Sequence, residues 1–210
     1  MADRPRAKIS SRKQPKQARS TELVSAILSA AAQVLAKEGA QRFTTARVAE
    51  KAGVSVGSVY QDFPNKAAIL FRLQSDEWRQ TSDLLREILE DGAKPPLERL
   101  RALVHAFLRS ECEEAAMRVA LNDAAPLYRD APEAREVRSS GDRILLAFMR
   151  EALPGVDIAT LDLATDLVTT TLGAVGKRFS ESPRTSQEID AYGEAMANMF
   201  CAYLESLKPL

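Results

Sequence analysis

The sequence predicts an all-α protein of about nine helices, and three observations carry that expectation. Apolar residues recur three and four apart through almost everything beyond residue 19. No segment sustains the strict alternation of a half-buried strand. Glycine, proline and small hydroxyl residues fall where helices would stop and start. With 210 residues, 45% hydrophobic and 28% charged, the chain reads as an ordinary soluble globular protein of one or two domains. No run approaches the roughly 18 uninterrupted apolar residues of a membrane helix. The basic N-terminus has no apolar stretch behind it, which argues against a secretory signal. Cys112 and Cys201 are too few and too distant in sequence for a disulfide framework. A reduced, cytoplasmic protein is expected.

The elements follow in order. Val24, Ile27, Leu28, Ala31 and Leu35 share one face of a helix over Thr21–Glu38, with Gly39 as its stop. A short helix is predicted from about Thr45 to Ala52, capped by Thr44 or Thr45 and ended by Gly53. Ser55 caps a third, running to about Asp62, and after Pro64 a longer helix runs from Asn65 to about Glu90. Pro96 suits the first turn of the next, whose stripe is Leu97, Leu100, Val104, Phe107 and Leu108. Helical sequence resumes at Cys112–Asn122 and at Pro132–Leu153, where Pro154-Gly155 breaks it. Thr160 is the expected cap of a helix carrying Ala164, Val168, Leu172, Val175 and Phe179. Thr185 and Glu188 have the spacing of a capping box for the last helix.

Charge is segregated within a total of zero. Residues 1–19 hold seven basic side chains against Asp3 alone, and through residue 70 twelve basic oppose five acidic. The remaining 140 residues hold 17 basic and 24 acidic groups, so the two parts carry +7 and −7. A basic end of this kind points to a nucleic-acid contact. The tail itself, with Pro5 and Pro15 and no apolar face, reads as a flexible leader.

The most informative stretch is residues 44–66. Two short helices meet at Ala52-Gly53-Val54-Ser55, the spacing of a helix-turn-helix. Val48 and Ala49 should face a small core, Gly53 permits the sharp turn, Val54 plugs the angle, and Ser55 satisfies the amides of the second helix. From Ile27 to Leu70 the chain resembles the DNA-binding domain of the TetR family of bacterial transcriptional regulators. The residues that carry the likeness are Gly39, Thr44 or Thr45, Val48-Ala49, Ala52-Gly53-Val54-Ser55, Gly57, Val59-Tyr60, Phe63 and Lys66. The resemblance implies that Arg47, Ser55, Val56, Ser58 and Gln61 face base edges or nearby phosphates. It implies that Thr45, Tyr60 and Lys66 clamp the backbone. Gln61 suits adenine and Val56 a thymine methyl. Asp62 departs from the pattern, which there favours an aromatic residue or histidine. Its carboxylate is expected to pair with a neighbouring Arg or Lys rather than approach phosphate.

Three segments are therefore expected: a basic tail over 1–19, a DNA-binding domain over 20–66 (motif 44–63), and an effector-binding and dimerisation domain over 67–210. Residues 1–16 should supply sequence-independent affinity. Their deletion is expected to flatten the salt dependence of DNA binding, and an unchanged slope in a titration against ionic strength would refute this.

In the last two helices, about 160–180 and 186–207, the apolar surface exceeds one core face. Leu163, Leu167 and Ala174 add to one helix; Ile189, Tyr192, Met196, Met199, Tyr203 and Leu207 make a second stripe beside Ala197, Phe200 and Leu204 in the other. A bundle shared between two copies explains this, with Gly173 and Gly176 allowing close helix approach. No catalytic or metal-binding constellation is evident and no cofactor is expected. His105 reads as a pocket-edge or structural residue, the two cysteines as packing residues, and Glu111, Glu113 and Glu114 as a solvated face. Trp78, His105, Phe107, Met117, Tyr128, Phe148 and Met149 are the candidate effector-pocket residues. The combined expectation is a homodimeric repressor released from a palindromic operator by a small-molecule effector. The alternatives are an effector-independent nucleoid- or division-associated DNA binder, and a helical enzyme or carrier.

Overall fold

The computed structural model describes residues 18–128 and 143–208, with side chains from Thr21 onward. Among these residues there are nine α-helices and no strand. They are α1 (Ala18–Arg42), α2 (Thr45–Ala52), α3 (Val56–Asp62), α4 (Lys66–Leu89), α5 (Pro96–Glu113), α6 (Ala115–Ala124), α7 (143–152), α8 (Ile158–Ser180) and α9 (Ser186–Ser206). A 3-10 turn, Ala125–Leu127, follows α6. The tail over 1–17 and the first part of the expected 132–153 helix lie outside the described residues.

The helix boundaries come from local chemistry that the sequence announces. Gly39, at φ 73° and ψ 170°, breaks the helical path of α1, and a short turn then continues to Arg42. Thr44, not Thr45, is the cap of α2, its side chain accepting from the Arg47 amide at 3.3 Å. Ser55 caps α3 by accepting from the Ser58 amide at 3.0 Å. Asn65 does the same for α4, accepting from the Ala68 amide at 3.0 Å. The cap of α8 is Asp157 rather than Thr160, because a carboxylate three residues upstream accepts both the Thr160 amide (3.1 Å) and its hydroxyl (2.7 Å). Thr185 and Glu188 form the expected reciprocal box at α9. Those hydrogen bonds hold the Glu188 carboxyl below the usual carboxylate range.

The chain divides into two units. The first comprises the described residues through Trp78 together with Ala116–Tyr128. It therefore takes in the N-terminal half of α4 and nearly all of α6, so its limit falls beyond the sequence-derived boundary at residue 66. In its core Ile27 and Leu35 of α1, Phe43, Val48 of α2 and Val59 of α3 are completely buried, joined by Phe63, Ile69, Leu70 and Leu121. Tyr128 closes this core from the 3-10 turn. Its hydroxyl donates to Gln74 Oε1 (3.2 Å) and the Leu121 carbonyl (3.0 Å), and its ring packs on Phe71 with centroids 5.8 Å apart. Burial, reinforced by Glu77, pushes the phenol well above its usual range.

The second unit contains Arg79–Ala115 and the described residues from 143 onward. Here α5 packs against both α8 and α9. Two glycines allow the approach. A Cβ at Gly176 would lie 2.8 Å from the Phe107 ring and 3.1 Å from Glu111, and one at Gly193 would lie 2.7 Å from the His105 ring. Gly173, by contrast, faces open space, so only one of the two glycines expected to allow close approach does so within the chain. Glu111 is buried against Gly176, not part of a solvated acidic face.

Candidate DNA interface

The turn between α2 and α3 is built around Gly53, at φ 69° and ψ 29°. In that conformation its amide reaches the carbonyls of Ala49 and Glu50, and the Val54 amide reaches Ala49 at 3.0 Å. A Cβ at Gly53 would meet nothing within 4 Å, so the demand for glycine is purely conformational. Gly53→Ala is expected to cost about 1–2 kcal/mol through the left-handed backbone alone. Thermal denaturation checks this, and a melting temperature equal to the parent's would show the demand absent.

The turn sets α3 with one face inward and the other in solvent. Val59 is fully buried, while Ser55, Val56, Tyr60 and Gln61 are exposed and Ser58 is half-buried. Two large apolar side chains, Val56 and Tyr60, are exposed on this helix of seven residues. Ser55 and Ser58 share a hydroxyl hydrogen bond of 2.8 Å, which holds both at the start of α3. Lys66 is exposed as the first residue of α4. Seven of the eight expected contact residues thus retain exposure. Thr45 does not: it is only 8% exposed, the inward-facing first residue of α2.

Arg47, also half-buried, is bound to Glu38 of α1 through Nη1 and Oε2. Asp62 is the departure that the structure resolves. It is 6% exposed, so its carboxylate points away from solvent, and among the described residues no ion pair reaches it. The expected pairing with Arg or Lys is absent there, and burial rather than pairing removes the charge from the outer surface.

The seven candidate effector residues divide between the units. Trp78, Met117 and Tyr128 pack in or against the first core; Phe148 and Met149 are buried in the second, with Phe107 at its edge. His105 is partly exposed, its Nε2 3.4 Å from Glu194 Oε2. Hydrogen bonding from His105, with Arg101 nearby, holds the Glu194 carboxyl below its usual range. A cavity of about 280 Å³ in the second unit is lined by Arg143, Leu146, Asp162, Thr165, Asp166 and Thr169, none of which the sequence singled out. Burial pushes both the Cys112 and Cys201 thiols up, which makes thiolate chemistry unfavourable at either.

The last two helices keep large apolar side chains in solvent. Leu163 is 62% exposed and Leu167 follows it one turn later; on α9 Met199 is 52% exposed, with Tyr192 two turns before it. The opposite faces are consumed by the chain's own core, through Leu161, Ala164, Val168 and Leu172 on α8 and Met196, Ala197, Phe200 and Leu204 on α9.

A helix-turn-helix with an exposed second helix, in one chain with a separate all-helical unit, defines a DNA-binding transcription regulator. Family comparison makes this specific. Residues 27–73 match the family model described as "Bacterial regulatory proteins, tetR family", and residues 95–207 match "Tetracyclin repressor-like, C-terminal domain". The chain belongs to the TetR family, whose members are DNA-binding regulators and not enzymes. The nucleoid occlusion factor SlmA of Vibrio campbellii (strain ATCC BAA-1116) is 40% identical over 83 residues, which is 39% of this chain and 42% of that protein. The chain thus matches less than half the length of this curated relative. Among solved structures, the fatty acid degradation regulator FadR of Bacillus halodurans superposes with a TM-score of 0.67 at 19% identity, covering 89% of this chain and 96% of the other. A SmeT–triclosan complex gives 0.63 at 21% identity, covering 87% and 91%. At such identities these two likenesses concern the fold.

Proposed function

We propose that this protein is a homodimeric repressor that leaves a palindromic operator when a small-molecule effector binds. The observation that carries the reading is the presence in one chain of two unsatisfied surfaces. One is the outer face of α3, with Val56, Tyr60 and Gln61; the other is the apolar face of α8 and α9, with Leu163, Leu167 and Met199. By composition and length α8 also passes as a membrane-crossing helix. Its buried opposite face makes a second copy of this chain the better occupant, since a two-fold axis pairs one apolar face with itself.

In this reading the two α3 helices enter successive major grooves, with centres about 34–36 Å apart. Gln61 offers both donor and acceptor to an adenine edge, Val56 contacts a thymine methyl, and Ser55 and Ser58 reach nearby bases. Tyr60 and Lys66 hold phosphates, Lys66 where the first amides of α4 also favour an anion. Thr45 contributes through its backbone rather than its buried side chain. Effector binding releases DNA to the extent that the effector prefers a dimer whose recognition helices are mis-spaced. Trp78, His105, Phe107 and Met117 retain partial exposure among the seven effector candidates and are the first to probe. The protein would reside in the cytoplasm, at the nucleoid when DNA-bound.

Mobility shift with the DNA upstream of its own gene, followed by a thermal-shift screen of small molecules, tests the proposal. Failure to bind that DNA or any duplex selected from a random pool defeats it. The SlmA likeness supports a second reading, an effector-independent nucleoid-associated binder. Genome-wide crosslinking separates them: one or a few sites, lost with effector, mark a repressor; many dispersed sites without effector dependence mark the second reading.

A further inference from the structure

Glu38 stands where a carboxylate is poorly favoured by its own helix. It lies in the last regular turn of α1 before Gly39, near the negative end of the helix dipole. Two guanidinium groups converge on one of its oxygens. Arg47 donates to Oε2 from Nη1, and Arg42 Nε lies 3.8 Å from the same atom. They line a groove of about 550 Å³ between α1 and α2, where Lys37 and Lys51 add two more cations and Glu50 the only other acid. Two arginines sharing one anionic oxygen is also how a phosphate oxygen is held. Arg47 sits in the first turn of α2, the helix that crosses the nucleic-acid backbone in this motif. Its amide is already taken by Thr44, so the side chain is what it has to offer.

We propose that Glu38 is an internal counter-ion that competes with DNA phosphate for Arg47 and thereby sets the sequence-independent part of DNA affinity. The inference rests on reading α2 and α3 as the DNA interface. A guanidinium compensated by Glu38 displaces no counterion when α2 docks. It contributes to binding only once the carboxylate has been exchanged for a phosphate. Arg42, 68% exposed at its side chain, is held more loosely and remains available throughout. Glu38 therefore lowers the grip on DNA of any sequence without touching the base-reading face of α3.

The test uses the full chain and a labelled duplex of random sequence, with affinity measured by fluorescence anisotropy across a range of salt concentrations. Glu38→Gln is isosteric at a partly exposed position, and an unchanged melting temperature verifies its fold. It is expected to tighten binding up to roughly tenfold near 0.1 M salt and to steepen the log–log salt slope by about 0.9. The gain should depend on Arg47: with Arg47→Gln already in place, adding Glu38→Gln is expected to give little of the tightening and slope change that it gives in the parent. A gain that persists in full without Arg47 would show that Glu38 acts only through general charge, and would overturn the proposal. So would an unchanged slope in Glu38→Gln. Absence of duplex binding by the parent would instead remove the DNA-interface reading, and this inference with it.

Discussion

Leu163→Glu combined with Met199→Glu is expected to yield a monomer whose operator affinity is about a hundredfold or more below the parent's. Both side chains are more than half exposed, so the substitutions leave the chain's own core intact. A carboxylate at each position would be buried against its symmetry mate in the proposed dimer, and desolvating like charges there is prohibitive. The loss at the operator follows from geometry. One recognition helix binds half a site, while two tethered helices gain roughly 10²–10⁴ from effective concentration. Analytical ultracentrifugation reports the oligomeric state and mobility shift the affinity. A variant that stays dimeric, or one that becomes monomeric without losing affinity, would place the interface elsewhere.

The second large effect concerns Arg99, the largest fully buried side chain among the described residues and only 2% exposed. Its Nη1 donates to the carbonyl of Leu89, the last residue of α4, satisfying one of the carbonyls a helix end leaves open. The same group holds Glu151 of α7, with Nη1 3.1 Å from Oε2 and Nη2 on Oε1. The guanidinium also lies over the Phe148 ring, 5.5 Å from its centroid. Its Nε is buried with no hydrogen-bond partner among the described residues. The pair is asymmetric, because the Glu151 side chain is 55% exposed. Glu151→Ala would strand a buried cation and is expected to cost about 2 kcal/mol, or a fall of roughly 4–8 °C in melting temperature. Arg99→Met leaves a solvated carboxylate and the Leu89 carbonyl without this donor, but no buried charge, and fills similar volume, so its cost should be smaller. The double variant should be no worse than Arg99→Met alone. Calorimetry on the three proteins decides, and equal, additive losses would contradict the asymmetry.

The same pair predicts an acid limb. Hydrogen bonding to Arg99 holds the Glu151 carboxyl below the usual carboxylate range. A depressed folded-state pKa gives stability that is present above the ordinary carboxylate pKa and lost as pH falls through the lowered one. Arg99→Met should therefore lose less stability than the parent on acidification.

The sequence alone determined the all-helical fold, the helix-turn-helix and most helix ends. It could do so because caps and turns are local: Gly39 and Gly53, Ser55, and the Thr185–Glu188 box each act on residues within four positions of themselves. The outward face of α3 was legible only in part: with Val59 inward, helical spacing turns Gln61 outward, whereas Val56, three residues before Val59, leans toward the same face and only the fold decides its exposure. Where two local signals competed, the choice was less secure, as with Asp157 over Thr160. Only tertiary structure decided which polar groups go inside. Asp62, Thr45, Glu111 and Arg99 look like surface residues in sequence, yet each is buried in the fold. The Arg99–Glu151 pair spans 52 positions and the Arg47–Glu38 pair crosses a turn between helices, so neither has a periodic signature. The effector residues were the least legible. A core side chain and a cavity-lining one have the same apolar spacing, and only packing tells them apart.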